Sequence, residues 1–137
     1  LRVHEDYALE IDHSLIEYGD YEIQSGYHLI LKLMDMSNPP TAVFVTNYEM
    51  TLGAIMAINE RNIRIPDQLS LIGFDNIQMA KIVKPSLSIV VQPIKQIGET
   101  AANILLKRMI GDNSNFPFIH RLKTEFLLKD SIKSINT

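Results

Sequence analysis

The sequence predicts an α/β protein with an open parallel sheet and helices on both faces, a three-layer arrangement. Three observations lead to this prediction. Short apolar runs alternate with longer segments whose apolar residues recur at helical spacing. The run at 41–46 is β-branched or aromatic almost throughout, which is typical of a strand covered on both faces. Clusters of glycine, proline, asparagine and aspartate separate the segments, and strand–helix–strand alternation favours parallel strands joined by right-handed crossovers.

Composition limits the classes of function. The chain has 137 residues, of which 46% are hydrophobic, so it can form a core as one domain or as part of a larger one. Its net charge is −3 and its 13 basic residues are scattered, which argues against direct contact between this segment and nucleic acid. Cysteine is absent, which excludes disulfides and thiolate chemistry and fits a cytoplasmic protein. No apolar run is long enough to span a membrane.

The first third of the chain predicts one strand and one helix. The opening residues LRVHEDYALEIDH are typical of a helix entered midway, so we expect a fragment of a longer protein. Residues 14–18 (SLIEY) predict a short strand. Residues 21–36 predict a helix with Asp20 as its N-cap. The apolar face of this helix comprises Ile23, Tyr27, Ile30 and Met34.

The middle third predicts a buried strand, a helix and a second strand. After the strand at 41–46, Asn47 is expected to cap a helix. Gly53 lies inside that helix, where glycine costs about 1 kcal/mol relative to alanine, so we expect close packing against a neighbour. Residues 69–72 predict the next strand.

The last third predicts a strand at 87–91, a helix at 94–110 and a final strand at 118–129. Apolar and polar residues alternate with period two in the final segment. This alternation is typical of a strand with one buried face, near the edge of a sheet.

Polar and aromatic residues follow three of the predicted strands. Tyr21 follows the first, Asn47 the second and Asp75 the third. In an open parallel sheet, ligands bind outside the carboxyl ends of the strands. A phenol ring, an amide and a carboxylate suit a small polyhydroxyl or heteroaromatic ligand. Tyr21, Asn47 and Asp75 are therefore the candidate ligand-binding residues.

Signatures of catalysis are missing from the sequence. It contains no GxSxG, no P-loop and no GxGxxG motif, and the histidines lack the spacing of metal ligands. We therefore expect no catalytic residue, no metal and no cofactor. A small α/β enzyme remains an alternative, because a fold does not determine a function.

Two long stretches resemble the effector-binding core of the lactose/galactose-repressor family of bacterial transcription regulators. They read PPTAVFVTNYEMTLGAIMAINERNIRIPDQLSLIGFDN and KPSLSIVVQPIKQIGETAANILLKRM, and YGDYEIQSGYHLILKLM and LKTEFLLKDS fit the same pattern. The resemblance implies two lobes, like those of periplasmic sugar-binding proteins, with the ligand between them. It implies that Tyr21 stacks on the effector and that Asn47 and Asp75 hydrogen-bond to it. Tyr48 departs from the family, which usually has an aspartate there.

The resemblance also implies how the chain is organised. Residues 1–90 would form the C-terminal lobe, 91–116 a crossover whose helix belongs to the N-terminal lobe, and 117–131 the returning strand. The N-terminal lobe and a helix-turn-helix DNA-binding domain would lie outside this chain. The implied partners are a sugar or sugar phosphate, a second copy in a homodimer, and operator DNA bound through the absent domain. A sugar-binding transport receptor with the same fold is the other alternative.

Overall fold

A computed structural model describes residues 2–75, 77–114, 116–117 and 119–134. Within these residues four strands form one sheet in the order β1-β2-β3-β4. The strands are β1 (Ala42–Phe44), β2 (Ser70–Phe74), β3 (Ser88–Val91) and β4 (Glu125–Leu127). The first three are parallel, and β4 runs antiparallel to β3. The α/β class and the open sheet are thus confirmed, and the sheet is mixed because its last strand returns in the opposite direction.

Five helices accompany the sheet in the described part of the chain. They are α1 (Arg2–Asp6), α2 (Ile23–Met34), α3 (Tyr48–Glu60), α4 (Ile77–Ile82) and α5 (Ile94–Met109). None of these described helices is both long and apolar enough to cross a membrane. The predicted helices at 21–36, from Asn47 and at 94–110 are confirmed, with boundaries within two residues at most ends.

Two glycines bring α2 and α3 into close contact. A methyl group on Gly53 would overlap the carbonyl oxygen of Ile23, and one on Gly26 would overlap the backbone of Met50. Only glycine allows the two backbones to approach this closely. The predicted close packing at Gly53 is confirmed.

The core lies between α3 and one face of the sheet. Leu71 on β2 and Ile89 on β3 are fully buried on that face, and a methyl group on Gly73 would meet the side chain of Thr51 on α3. Ala80 of α4 joins the same apolar cluster. Both helices cover the same face because two right-handed crossovers running in one direction along a sheet place their helices on one side.

The opposite face of the sheet is only partly covered by the described residues. Phe44 on β1 is 50% exposed and Phe126 on β4 is 49% exposed. The prediction that the strand at 41–46 is covered on both faces is therefore wrong for the described residues. The apolar residues of this strand indicate burial on both faces, but no described helix packs on the face that holds Phe44.

The predicted strand at 14–18 does not form. A short 3₁₀ helix spans His13–Leu15, and the Asp12 carboxylate accepts the Ser14 amide at 2.9 Å. A strand needs a neighbouring strand to bond its backbone, and in the described chain β1 is paired only with β2. A cavity of about 600 Å³ is lined by the segment 10–17, by β1 and by α2. The segment 14–18 is apolar enough for a strand, but it has no paired strand among the described residues.

Asp20 is not the N-cap of α2. Its Oδ1 accepts the Glu22 amide at 3.0 Å, while the helix begins only at Ile23. Tyr21 has a left-handed backbone with φ of 70°, so the helix cannot begin there. Asp20 instead closes a turn just before the helix.

The final strand is shorter than predicted, and its predicted start, Phe118, lies outside the described residues. β4 spans three residues at the edge of the sheet, as the alternating pattern predicts. Leu127 packs against the core, whereas Phe126 faces away from it. α5 contains no buried residue, so its apolar side chains are not docked on the sheet.

Candidate ligand-binding site

Three polar side chains follow the three parallel strands. Asn47 lies three residues after β1, Asp75 directly after β2, and Gln92 directly after β3. Parallel strands that end side by side place their following residues at one edge of the sheet. We call these three residues, together with Tyr21, the polar edge.

Asn47 is fixed by both ends of its side-chain amide. Its Oδ1 accepts the Met50 amide at 3.0 Å, which confirms the predicted N-cap of α3. Its Nδ2 lies 3.5 Å from the carbonyl oxygen of Tyr21, a long hydrogen bond. An amide nitrogen has two protons, so Asn47 can still donate to a ligand without leaving either partner.

Tyr21 presents its ring to solvent from a strained backbone. The residue is 70% exposed, and its φ of 70° places it in the left-handed region that disfavours residues with a Cβ. An exposed aromatic ring next to polar groups is suited to stack on a sugar or heteroaromatic ring. The preceding residue, Asp20, adds negative charge, because its bond from the Glu22 amide holds the pKa of that carboxyl below its ordinary value.

Asp75 is also in the left-handed region, with φ of 77°. Aspartate and asparagine tolerate this conformation better than other residues with side chains. Its amide donates to the carbonyl oxygen of Val90 at 2.9 Å, and its Oδ1 accepts the Nε2 of Gln92 at 2.6 Å. Asp75 is half-buried, and these two bonds attach it to β3 and to the residue after it.

The structure relates the three predicted residues in two ways. It brings Tyr21 into contact with Asn47, and it places Asp75 after the neighbouring strand at the same edge. Gln92 was not predicted, although the rule that selected Asn47 and Asp75 applies equally to the residue that follows the strand at 87–91. Tyr48 is half-buried and packs against the core.

Two cavities of the described chain lie away from the polar edge. Besides the cavity beside β1, one of about 490 Å³ lies between α5 and the segment that follows it. Neither is lined by Tyr21, Asn47, Asp75 or Gln92. Among the described residues, no group of three or more histidine, aspartate and glutamate side chains could hold a metal ion.

An open α/β sheet with hydrogen-bonding side chains at the carboxyl ends of its parallel strands is an arrangement that α/β proteins use to bind small ligands. Residues 4–132 match the family model of the periplasmic binding protein-like domain, and the chain belongs to that family. This match and the relatives below confirm the resemblance to the lactose/galactose-repressor regulators.

Among similar proteins, the probable HTH-type transcriptional repressor ExuR of Bacillus subtilis is 35% identical over 94% of this chain. The HTH-type transcriptional repressor PurR of Escherichia coli O1:K1 / APEC is 37% identical over 80% of it. A solved LacI family transcriptional regulator from Enterococcus faecium, with bound ribose, covers 98% of the chain with a TM-score of 0.84 and 29% identity. The chain spans 38% of ExuR, 32% of PurR and 49% of the solved regulator.

Proposed function

We propose that this chain is the C-terminal lobe of the effector-binding core of a bacterial transcription repressor. A small molecule, a sugar or a sugar phosphate, binds at the polar edge, in the cleft between this lobe and an N-terminal lobe outside the chain. The main support for this proposal is that three polar residues follow three neighbouring parallel strands, namely Asn47, Asp75 and Gln92. Tyr21 lies beside Asn47.

The residue chemistry supports a polyhydroxyl ligand. The Asp75 carboxylate accepts hydroxyl protons in charge-assisted bonds, which are shorter and stronger than neutral ones. Asn47 can donate to a ring or hydroxyl oxygen, and the exposed face of Tyr21 can cover an apolar face of the sugar. An open edge leaves Asp75 partly hydrated before binding, so its charge is not buried without a partner.

Three features support the division into residues 1–90, 91–116 and 117–131. No residue of α5 is buried, as expected if this helix packs on another lobe. Phe44 and Phe126 leave one face of the sheet apolar and half-exposed. A cavity of about 600 Å³ lies beside β1. These features favour additional chain that covers α5 and the exposed face of the sheet.

The proposed mechanism is allosteric and involves no catalysis. Effector binding favours one arrangement of the two lobes, and a homodimer in the cytoplasm transmits that arrangement to helix-turn-helix domains on operator DNA. The effector can change the affinity for DNA only by its differential affinity for the two arrangements. The similar proteins named above are repressors or regulators, which favours this role over that of a transport receptor.

Calorimetric titration of the full-length protein tests the proposal. The probes are D-ribose, a set of other neutral monosaccharides and disaccharides, and their phosphates. We expect at least one probe to bind and to change the affinity for DNA from the protein's own promoter region, measured by fluorescence anisotropy. Binding with no change in DNA affinity would favour a receptor. Absence of binding by every probe would contradict a sugar effector.

A further inference from the structure

Gln92 connects the polar edge to α5. On one side, its Nε2 donates to Oδ1 of Asp75 at 2.6 Å. On the other side, its carbonyl oxygen accepts the Ile94 amide at 2.9 Å, within the first turn of α5. A single residue therefore bonds to both the carboxylate expected to contact the effector and the start of the helix expected to contact the other lobe.

The link between Gln92 and α5 is short and stiff. Pro93 is the N-cap of α5, and its carbonyl oxygen accepts the Ile97 amide at 2.9 Å. Proline fixes its own φ, and it restricts the conformation of the residue before it. Since α5 has no buried residue, its packing on the sheet contributes little to its orientation. The direction of α5 relative to the sheet is therefore set by residues 91–94 and not by contacts of the helix with the sheet.

The bond between Gln92 and Asp75 is accessible to a ligand. Both residues are half-buried, so an effector that reaches the Asp75 carboxylate also reaches the amide bonded to it. A carboxylate has about four acceptor positions, and Gln92 occupies one of them on Oδ1. An effector must either bind beside the Gln92 amide or displace it.

We propose that Gln92 is a positioning residue that couples the occupancy of Asp75 to the orientation of α5. This inference rests on the proposed function, because it assigns the route by which effector binding at this edge reaches the other lobe. Without effector, the side-chain amide of Gln92 holds the Asp75 carboxylate, and its backbone carbonyl oxygen holds the first turn of α5. With effector bound to Asp75, the amide is reoriented, and the first turn of α5 moves with it.

Hydrogen exchange in the full-length protein, without ligand, tests the link itself. Gln92→Leu keeps a similar size but removes the bond, and Asp75→Gly removes the acceptor while accommodating the left-handed backbone. We expect each variant to speed exchange of the Ile94 and Ile97 amides about tenfold, the equivalent of one lost hydrogen bond. We expect the double variant to match either single one, because both remove the same bond.

The matched control is Gln96→Leu, the same substitution at an exposed position in the first turn of α5. It should leave the exchange of Ile94 and Ile97 near that of the parent. An unchanged exchange rate in Gln92→Leu would overturn the proposal. Fully additive effects of Gln92→Leu and Asp75→Gly would also overturn it, because they would show that the two residues act separately.

The second experiment adds a sugar, beginning with D-ribose and continuing through the panel described above. In the parent protein, a saturating concentration should change the exchange of amides 94–97. In Gln92→Leu the sugar should still bind, because Tyr21, Asn47 and Asp75 are all retained, but the change in amides 94–97 should be lost. A merely structural role of Gln92 would leave that response intact.

The outcomes separate this inference from the proposed function. If no probe binds the parent protein, the proposed function fails, and the ligand-free exchange still decides whether Gln92 links Asp75 to α5. If a sugar binds and Gln92→Leu responds like the parent, the role of Gln92 is refuted and the proposed function stands.

Discussion

The side-chain amide of Asn47 bridges the first turn of α3 and the strained turn at Tyr21. Its Oδ1 accepts the Met50 amide at 3.0 Å, and its Nδ2 faces the Tyr21 carbonyl oxygen at 3.5 Å. One end of the amide stabilises a helix, and the other holds a residue of the candidate site. Substitutions can separate these two functions.

Asn47→Asp and Asn47→Ala should have different effects on stability. Aspartate keeps an N-cap acceptor for Met50, so the free energy of unfolding should stay within a few tenths of a kcal/mol of the parent, whereas alanine should lose about 1 kcal/mol. Neither aspartate nor alanine has a side-chain N–H to donate to the Tyr21 carbonyl oxygen or to a ligand. Both variants should therefore bind effector more weakly. Urea unfolding and calorimetry measure the two quantities. If Asn47→Asp bound effector as tightly as the parent, hydrogen-bond donation by the Asn47 amide would have no part in effector binding.

Tyr21→Gly should stabilise the chain or leave it unchanged while weakening effector binding. Glycine adopts φ near 70° without the cost of about 1–2 kcal/mol that a Cβ incurs. The same change removes the aromatic face proposed to stack on the ligand. Tyr21→Phe is the control, because it keeps the ring and the strain. If Tyr21→Gly bound effector as tightly as Tyr21→Phe, the ring would lie outside the site.

Asp75→Asn should separate charge from backbone conformation. Asparagine tolerates the φ of 77° and can still accept the Gln92 proton. We expect stability close to that of the parent and a loss of about 1.5–3 kcal/mol of effector binding, the range for hydrogen bonds to a charged group. Asp75→Ala should lose similar binding and in addition about 1 kcal/mol of stability, because alanine is strained at this φ. Unchanged binding in both variants would remove Asp75 from the site.

Gly53→Ala and Gly98→Ala should shift stability in opposite directions. A methyl group on Gly53 would overlap the Ile23 carbonyl and force α2 and α3 apart, which should cost about 1–3 kcal/mol. In this chain alone, Gly98 lies in α5 with open space around it, so alanine there should stabilise the helix by about 0.5–1 kcal/mol. Thermal unfolding of both variants measures the effects. A loss of stability in Gly98→Ala would indicate that α5 packs closely on another part of the protein.

The hydrogen bond between Tyr27 and Glu60 should make stability depend on alkaline pH. The hydroxyl of Tyr27 donates to Oε2 of Glu60 at 2.6 Å, and this bond raises the pKa of Tyr27 above 10.0. Because the folded state has the higher pKa, the contribution is complete below the ordinary tyrosine value and is lost as pH rises through the raised value. Tyr27→Phe should remove this alkaline dependence in urea unfolding between about pH 9 and 11. An unchanged pH profile would show that another group causes it.

The fold was predictable wherever the local pattern and the tertiary environment agree. Periodicity located α2 and α5, the polar cap located the start of α3, and the close packing of Gly53 followed from the cost of glycine inside a helix. The segment 14–18 was not predictable in this way, because a strand requires a paired neighbour that its own residues do not reveal. The apolar residues of the 41–46 run likewise indicate burial on both faces of the strand, but they do not reveal which part of the protein covers the second face.

The candidate site was predictable in outline from topology. The carboxyl-end rule selected Asn47 and Asp75, and an aromatic after a predicted strand suggested Tyr21. The strand preceding Tyr21 does not form, so Tyr21 reaches the site through its contact with Asn47 and a left-handed turn, which no periodic pattern indicates. The bond between Asp75 and Gln92 joins residues 17 positions apart and requires the parallel pairing of β2 with β3, so it could be recognised only from the three-dimensional arrangement.

A crystal structure of the full-length protein with the sugar that binds most tightly in the calorimetric screen would show whether the polar edge binds the effector. We expect a sugar hydroxyl within about 3 Å of the Asp75 carboxylate, the Asn47 amide bonded to the same molecule, and the Tyr21 ring against its face. A sugar bound at full occupancy elsewhere, with none of these three side chains in contact with it, would refute the proposed site.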